Sequence, residues 1–230
     1  MKLFKIYFIF ILTIHLGYSQ NDCNPYVPIT KGATWEITNY TAKGKATGKI
    51  AYELIDKVEN GNDITFKIKT VTYDKKGIEV YSNIFEAKCI DGEFDFDMAF
   101  KMDGNALRAY ENMDVQVDAS KFEIPSFDVS SGTKLDDGTL DIKVGTSSVS
   151  MFKMTVLVTD RIVEAIEEIS TPAGRFNCIV LSQKVSTKMM IKVQGASKEW
   201  YAENIGLVRS ESYNKKGKLM GYSVLSKLKK

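Results

Sequence analysis

The sequence predicts an all-β protein: a single curled antiparallel sheet, half-barrel or incomplete barrel, of about ten to twelve strands behind a cleaved signal peptide. Three observations carry that expectation. Apolar and polar residues alternate with a period of two over long stretches. Turn sequences recur at fairly regular intervals, and no convincing long helix interrupts them. A sheet that wide rarely stays flat, so it is expected to curl. The 230 residues, 44% hydrophobic and 26% charged, exclude the disordered and disulfide-saturated classes.

At the N-terminus, Lys2 and Lys5 precede the nearly unbroken apolar run from Ile6 to Leu16, and Gly17-Tyr18-Ser19 offers a signal peptidase small residues. Residues 1–19 are therefore read as signal and residues 20–230 as one antiparallel β domain. The run is about half of the ~20 residues a membrane-spanning helix needs, so no stable membrane insertion is expected. Asp22, not a small residue, precedes Cys23, which argues against lipidation. Cleavage removes two lysines and no acid. The remaining 29 basic residues then face 29 acidic ones, and the pI near 8.2 is no nucleic-acid signal. The only histidine, His15, lies in the signal. Serine–histidine triads, cysteine–histidine pairs and histidine-bound zinc are thereby excluded from the mature chain.

Gly44 and Gly48 close the first hairpin region, Asn60-Gly61-Asn62 the second, Asp74-Lys75-Lys76-Gly77 the third and Asp91-Gly92 the fourth. Ile64, Phe66 and Ile68 alternate with Thr65, Lys67 and Lys69, and Ile50, Tyr52, Leu54 and Val58 repeat the pattern. Met98 to Asn112 reads as a short helix or an excursion, and residues 126–138 as a loop. Phe152, Met154, Val156 and Val158 form one face of the stretch from Met151 to Ile169. After Thr171-Pro172-Ala173-Gly174, the segment Phe176–Val193 reads as one long strand. Gly195, Asn204 to Gly206 and Lys215 to Gly217 then punctuate the last three strands.

Three cysteines permit one internal disulfide, in three possible pairings. Cys23–Cys89 is favoured because it pins the N-terminal segment to a strand end beside Asp91-Gly92, leaving Cys178 a buried thiol. The absence of Cys-x-x-Cys spacing argues against a redox enzyme. Asp91, Glu93, Asp95 and Asp97 share one face of an extended strand, but a flat row spreads them too far for calcium, and a solvated face is expected. Met189 and Met190 point to opposite faces, as do Met151 and Met154, so packing is preferred over copper ligation. No metal or cofactor is expected. Lysines of the C-terminal hairpin, including Lys215, Lys216 and Lys227, read as solvated charges on an exposed edge strand, with attraction to an anionic membrane as the functional alternative.

Several segments taken together carry a resemblance. Cys23-Asn24-Pro25-Tyr26 and Gly32-Ala33-Thr34-Trp35-Glu36 are followed by Thr171-Pro172-Ala173-Gly174-Arg175-Phe176-Asn177-Cys178. Then comes Glu199-Trp200-Tyr201-Ala202-Glu203-Asn204-Ile205-Gly206-Leu207-Val208. From Cys23 to the final strand the chain resembles a family of exported Gram-negative proteins known only as a domain of unknown function. Its architecture is similar to the lipoprotein-carrier half-barrels. The resemblance implies a curved sheet with a concave apolar face and brings no catalytic residue.

Trp35 and Trp200, the only tryptophans, are read as opening strands and anchoring a core near a sheet end; the sharper alternative has them gate a ligand mouth. Gly206 is expected to supply a backbone conformation other residues resist. The expected function is non-catalytic: an exported binding protein, periplasmic or extracellular, holding a lipid or other apolar molecule near Trp35, Trp200 and Tyr201. The alternative is an accessory or structural protein of the cell envelope with a filled core and a protein partner. No nucleic-acid partner is expected.

Overall fold

The computed structural model describes residues 23, 25–96, 114–120, 124–146, 149–189 and 191–230. The expected signal segment, the expected helix or excursion at 98–112, Asp97 and Met190 lie outside them. The described strands are β1 (Thr34–Thr41), β2 (Ala46–Asn60), β3 (Asp63–Asp74), β4 (Glu79–Ile90), β5 (Glu93–Phe96), β6 (Asp114–Ala119) and β7 (Lys134–Leu135). They continue with β8 (Gly138–Thr146), β9 (Val149–Thr171), β10 (Gly174–Lys188), β11 (Lys192–Ala202), β12 (Gly206–Asn214) and β13 (Leu219–Lys229). All belong to one antiparallel sheet in the order β5-β4-β3-β2-β1-β13-β12-β11-β10-β9-β8-β6, with β7 paired to β9 off that path. Twelve strands form the path. The thirteenth, β7, sits inside the stretch the sequence presents as a loop. Among the described residues no helix is long and apolar enough to cross a membrane.

Two meanders meet at a seam. One runs from β1 to β5; the other runs back from β13 through β12 to β8. The seam pairs β1 with β13, Thr34 opposite Lys229 and Tyr40 opposite Tyr222. The C-terminal lysines therefore do not decorate an edge strand as expected, because β13 is flanked by both β1 and β12. Local periodicity reveals that a strand is paired but not to what, and this partner comes from the opposite end of the chain.

The curl can be measured. Phe94 in β5 and Tyr201 in β11 are seven strand positions apart, about 34 Å along a flat sheet at ~4.8 Å per strand. Yet both pack edge-on against Tyr26, with ring centroids 6.0 and 5.8 Å from it. The sheet is thus wrapped into a half-barrel, and no pairing joins its end strands β5 and β6 among the described residues.

The concave face is the core. Trp35, Ile37, Tyr52, Leu54, Phe66, Ile68, Phe85, Ala87 and Cys89 alternate inward along β1 to β4. Each fully buried Leu, Ile or Phe contributes roughly 1.5–3 kcal/mol. Val58 departs from the expected alternation and is exposed, because a bulge between Leu54 and Asp56 reverses the strand's phase. A second, smaller cluster is built by Leu140, Ile142, Val144 and Val158, with Phe152, Met154 and Val156 packed against it, so that expected face of β9 is present.

The segment Phe176–Val193 is not one strand. β10 ends at Lys188, and β11 begins at Lys192. The reversal occurs within Lys188-Met189-Met190-Ile191-Lys192, which has none of the Gly, Pro, Asn or Asp residues that mark turns, while Gly195 lies inside β11. Trp200 accordingly stands near the end of β11 and does not open a strand.

Candidate functional site: the concave face

The N-terminal segment closes one end of the half-barrel. Cys23 is disulfide-bonded to the buried Cys89, with Cα atoms 5.8 Å apart. The chain then crosses the mouth of the concavity to β12. The Asn204 amide donates to the Pro25 carbonyl at 2.8 Å, and the Tyr26 hydroxyl donates to the Pro125 carbonyl. Gly206 has φ +101°, and a Cβ there would lie 2.4 Å from the Tyr26 carbonyl oxygen. Only glycine allows this crossing. Burial pushes the Tyr26 phenol up, with the Glu203 and Asp128 carboxylates adding to it, so the hydroxyl stays a donor.

Behind this closure lies a cavity of about 530 Å³. Its apolar end is walled by Tyr26, Trp35, Tyr52, Phe85, Phe94 and Ile124. Trp35 stacks on Tyr52 across the β1–β2 pair, centroids 5.1 Å apart and planes 9° from parallel. The opposite end is polar and small: Asn39, Thr47, Ser210, Ser212 and Ser223. These residues follow from the register, which sets Asn39 opposite Gly48 and Ser223, and Ser223 opposite Ser210. One cavity thus joins an aromatic half to a hydroxyl-bearing half. A second, more open depression on the outer face is lined by Glu36, Lys69, Lys227 and Pro172, among others. Of its two carboxylates, Glu36 and Glu53, the first is already bonded by Lys49 and Lys227.

Tyr201 borders the cavity and donates its hydroxyl to Glu199 at 2.7 Å. Burial raises its phenol well above the usual range. The Glu199 carboxylate and the hydrogen bond to it act in the same direction, opposed by the Arg161 guanidinium. Arg161 is itself buried and donates to the Asp136 carbonyl at 2.8 Å. Gln183 donates to Ser197 at 2.9 Å on the same side of β10 and β11. The concavity therefore contains a buried polar cluster on its β9–β11 flank. Among the described residues no group of three or more histidine, cysteine or acidic side chains gathers as a metal site. The Cys178 thiol is buried and pushed up to about 12, by desolvation first and by Glu167 second.

Of the three residues expected at the site, Trp35 and Tyr201 share the cavity, and Trp200 does not. Successive residues of a strand point to opposite faces, a rule that does not reach Met189 as expected, because β10 ends at Lys188. Trp200 is buried on the other side of β11. Its indole N–H donates to Glu167, and its ring lies under Lys198 and Arg209, 5.2 and 5.8 Å from the centroid. Neither tryptophan is at a mouth, for both are about 95% buried, at 4% and 5% relative exposure. Tyr26, Phe85, Phe94 and the polar end escaped the sequence reading. Tyr26 alone had a signal, its nearness to a cysteine expected to tether the segment. The acidic row turns outward as expected of Glu93, opposite the buried Phe94.

This arrangement defines a class: an open half-barrel of antiparallel strands with a partly unfilled concave face. Residues 30–225 match the DUF3108-like family, and the chain belongs to that family. A Bacteroides fragilis protein described as exported, with a YmcC-like fold, superposes with a TM-score of 0.77 at 29% identity, covering 89% of this chain and 98% of its own. A Parabacteroides distasonis protein described as a lipoprotein gives a TM-score of 0.77 at 25% identity, covering 90% of this chain and 100% of its own. Comparison with curated proteins finds no match.

Proposed function

We propose that this chain is an exported, non-catalytic binding protein, periplasmic or extracellular, that holds an apolar or amphipathic molecule in its concave cavity. The observation that carries this reading is the 530 Å³ space between Tyr26, Trp35, Tyr52 and Phe94, which the side chains of the described residues leave unfilled. Its size falls within the roughly 300–1,000 Å³ of small-molecule sites. Its two-part wall favours a ligand with an apolar body and an uncharged, hydrogen-bonding head: aromatic rings at one end, Asn39 and three serines at the other. The closure by Tyr26 gives such a ligand a dry end.

The test is native mass spectrometry of protein exported by a bacterial host, before and after lipid extraction, followed by titration of the stripped protein with N-phenyl-1-naphthylamine. The expected results are an apolar adduct lost on extraction and saturable probe binding that Ser210→Trp weakens at least tenfold without lowering the unfolding midpoint. An adduct-free mass together with unsaturable probe fluorescence would overturn the reading in favour of a filled-sheet accessory protein of the envelope.

A further inference from the structure

Antiparallel register places the turns β1/β2, β3/β4, β10/β11 and β12/β13 at one end of the sheet, and β2/β3, β4/β5, β9/β10 and β11/β12 at the other. The hairpin turns of the two ends differ in charge, those at the first being rich in lysine, with Glu79 just past the β3/β4 turn. At the first, Lys75-Lys76 and Lys215-Lys216 occupy their turns, Lys188 and Lys192 bracket the β10/β11 tip, and the β1/β2 turn reads Ala42-Lys43-Gly44-Lys45. All these lysines are exposed, and none enters an ion pair among the described residues. The Asp74 carboxylate at this end is engaged within its turn, accepting from the Lys76 and Ile78 amides at 2.8 and 2.9 Å. At the other end the turns carry Asn60-Gly61-Asn62-Asp63, Asp91-Gly92-Glu93, Thr171-Pro172-Ala173-Gly174-Arg175 and Glu203-Asn204, with the exposed Lys227, Lys229 and Lys230 where β13 ends, so that end is mixed in charge.

The basic end is also apolar. Ile191 is 77% exposed and Val193 64%, with Met189 beside them at the β10/β11 tip. Ile78 projects from the β3/β4 turn and Met220 stands just past the β12/β13 turn, each 58% exposed. The β10/β11 tip has apolar side chains where turn formers are usual, bracketed by cations. Apolar side chains at a rim surrounded by lysines match the two components of interfacial binding, insertion at the headgroup boundary and attraction to anionic lipid.

We propose that this rim docks on an anionic lipid bilayer, with the β10/β11 tip entering the headgroup layer. Charge complementarity selects the partner: the rim presents unpaired lysines from four turns, and a bilayer can meet turns set along an arc at the same time. The proposal stands apart from the ligand reading, since the rim's binding can be measured on delipidated protein.

The experiment is sedimentation of the delipidated chain, from residue 20 onward, with extruded vesicles of phosphatidylcholine alone or mixed equally with phosphatidylglycerol, at low and high salt. The expected result is at least tenfold stronger partitioning onto the phosphatidylglycerol vesicles, reversed by salt. Two variants should each lose at least tenfold: K188Q/K192Q/K215Q/K216Q through charge, and M189S/I191S/V193S at unchanged charge. R175Q at the opposite end should match wild type, and near-ultraviolet circular dichroism reports that each variant is folded. Equal binding to both vesicle types, no binding to either, or binding indifferent to the lysine variant would overturn the proposal. So would a tip variant that binds like wild type while a DNA oligonucleotide displaces the vesicles, an outcome that marks a general polyanion surface.

Discussion

Replacing both bridged cysteines tests what holds the concavity shut. Alanine is the substitution of choice, since Cys89 is fully buried and a serine hydroxyl there would need a partner. The bridge closes a separation of 66 residues. For a loop of that length, the chain-entropy relation gives about 4.4 kcal/mol of stabilisation at 25 °C. A domain of this size loses roughly 2–4 °C of midpoint per kcal/mol, so C23A/C89A should unfold roughly 9–18 °C below the oxidised wild type. Scanning calorimetry reads the shift, and a thiol reagent supplies the control. Native wild type should expose no reactive thiol, because Cys178 is buried and its pKa pushed up to about 12, and unfolded wild type should expose one. A loss below about 3 °C would refute the reasoning and leave the segment held by its contacts at Asn204 and Gly206. Three reactive thiols in unfolded, unreduced wild type would refute the bridge itself.

Two further outcomes follow from single residues. Gly206→Ala brings a Cβ to 2.4 Å from the Tyr26 carbonyl, whereas Gly61→Ala, also at positive φ, meets nothing within 4 Å. Urea titrations should give ~1–2 kcal/mol for Gly61→Ala, the left-handed penalty alone, and clearly more for Gly206→Ala; equal losses would mean that the crossing segment yields without resistance. Glu36 has a lowered pKa: burial works to raise it, but the hydrogen bonds and charges of Lys49 and Lys227 outweigh that. The stability this carboxylate adds is fully present above its unfolded pKa and is lost as pH falls through its lower folded value. E36Q should therefore be up to ~1 kcal/mol less stable than wild type at pH 7, with the gap closing in acid once Glu36 is protonated in both states; a gap that persists there would assign the loss to packing.

What the sequence revealed was local. The alternation through Phe66 and Ile68 and the turns at Gly61, Gly77 and Gly217 are short-range patterns, and each appears in the fold. What it withheld was either non-local or reversed by one residue. Nothing near Leu225 announces that β13 pairs with β1, and nothing near Ile55 announces the bulge that turns Val58 outward. The β10/β11 reversal at Met189 was hidden because it uses none of the residues that favour turns. Trp200 and Tyr201 illustrate the limit at the site. Both are buried aromatics, but strand geometry sends one to the cavity and the other beneath Arg209. The polar end was illegible for a further reason: Asn39, Ser210 and Ser223 come from three strands, and only register brings them together.

The seam between the first and last strands governs how the molecule comes into being. Thr34 finds its partner in Lys229, almost a full chain length away, so neither meander can be stitched to the other until β13 is present. Sheets dominated by such distant pairings fold slowly, on the order of milliseconds to seconds. Until then β1 and β12 both present raw edges, the condition that invites intermolecular pairing. A chain lacking its last eleven-residue strand would thus be sticky, not merely shorter. The same delay makes the final strand the clasp that commits the polypeptide to shape.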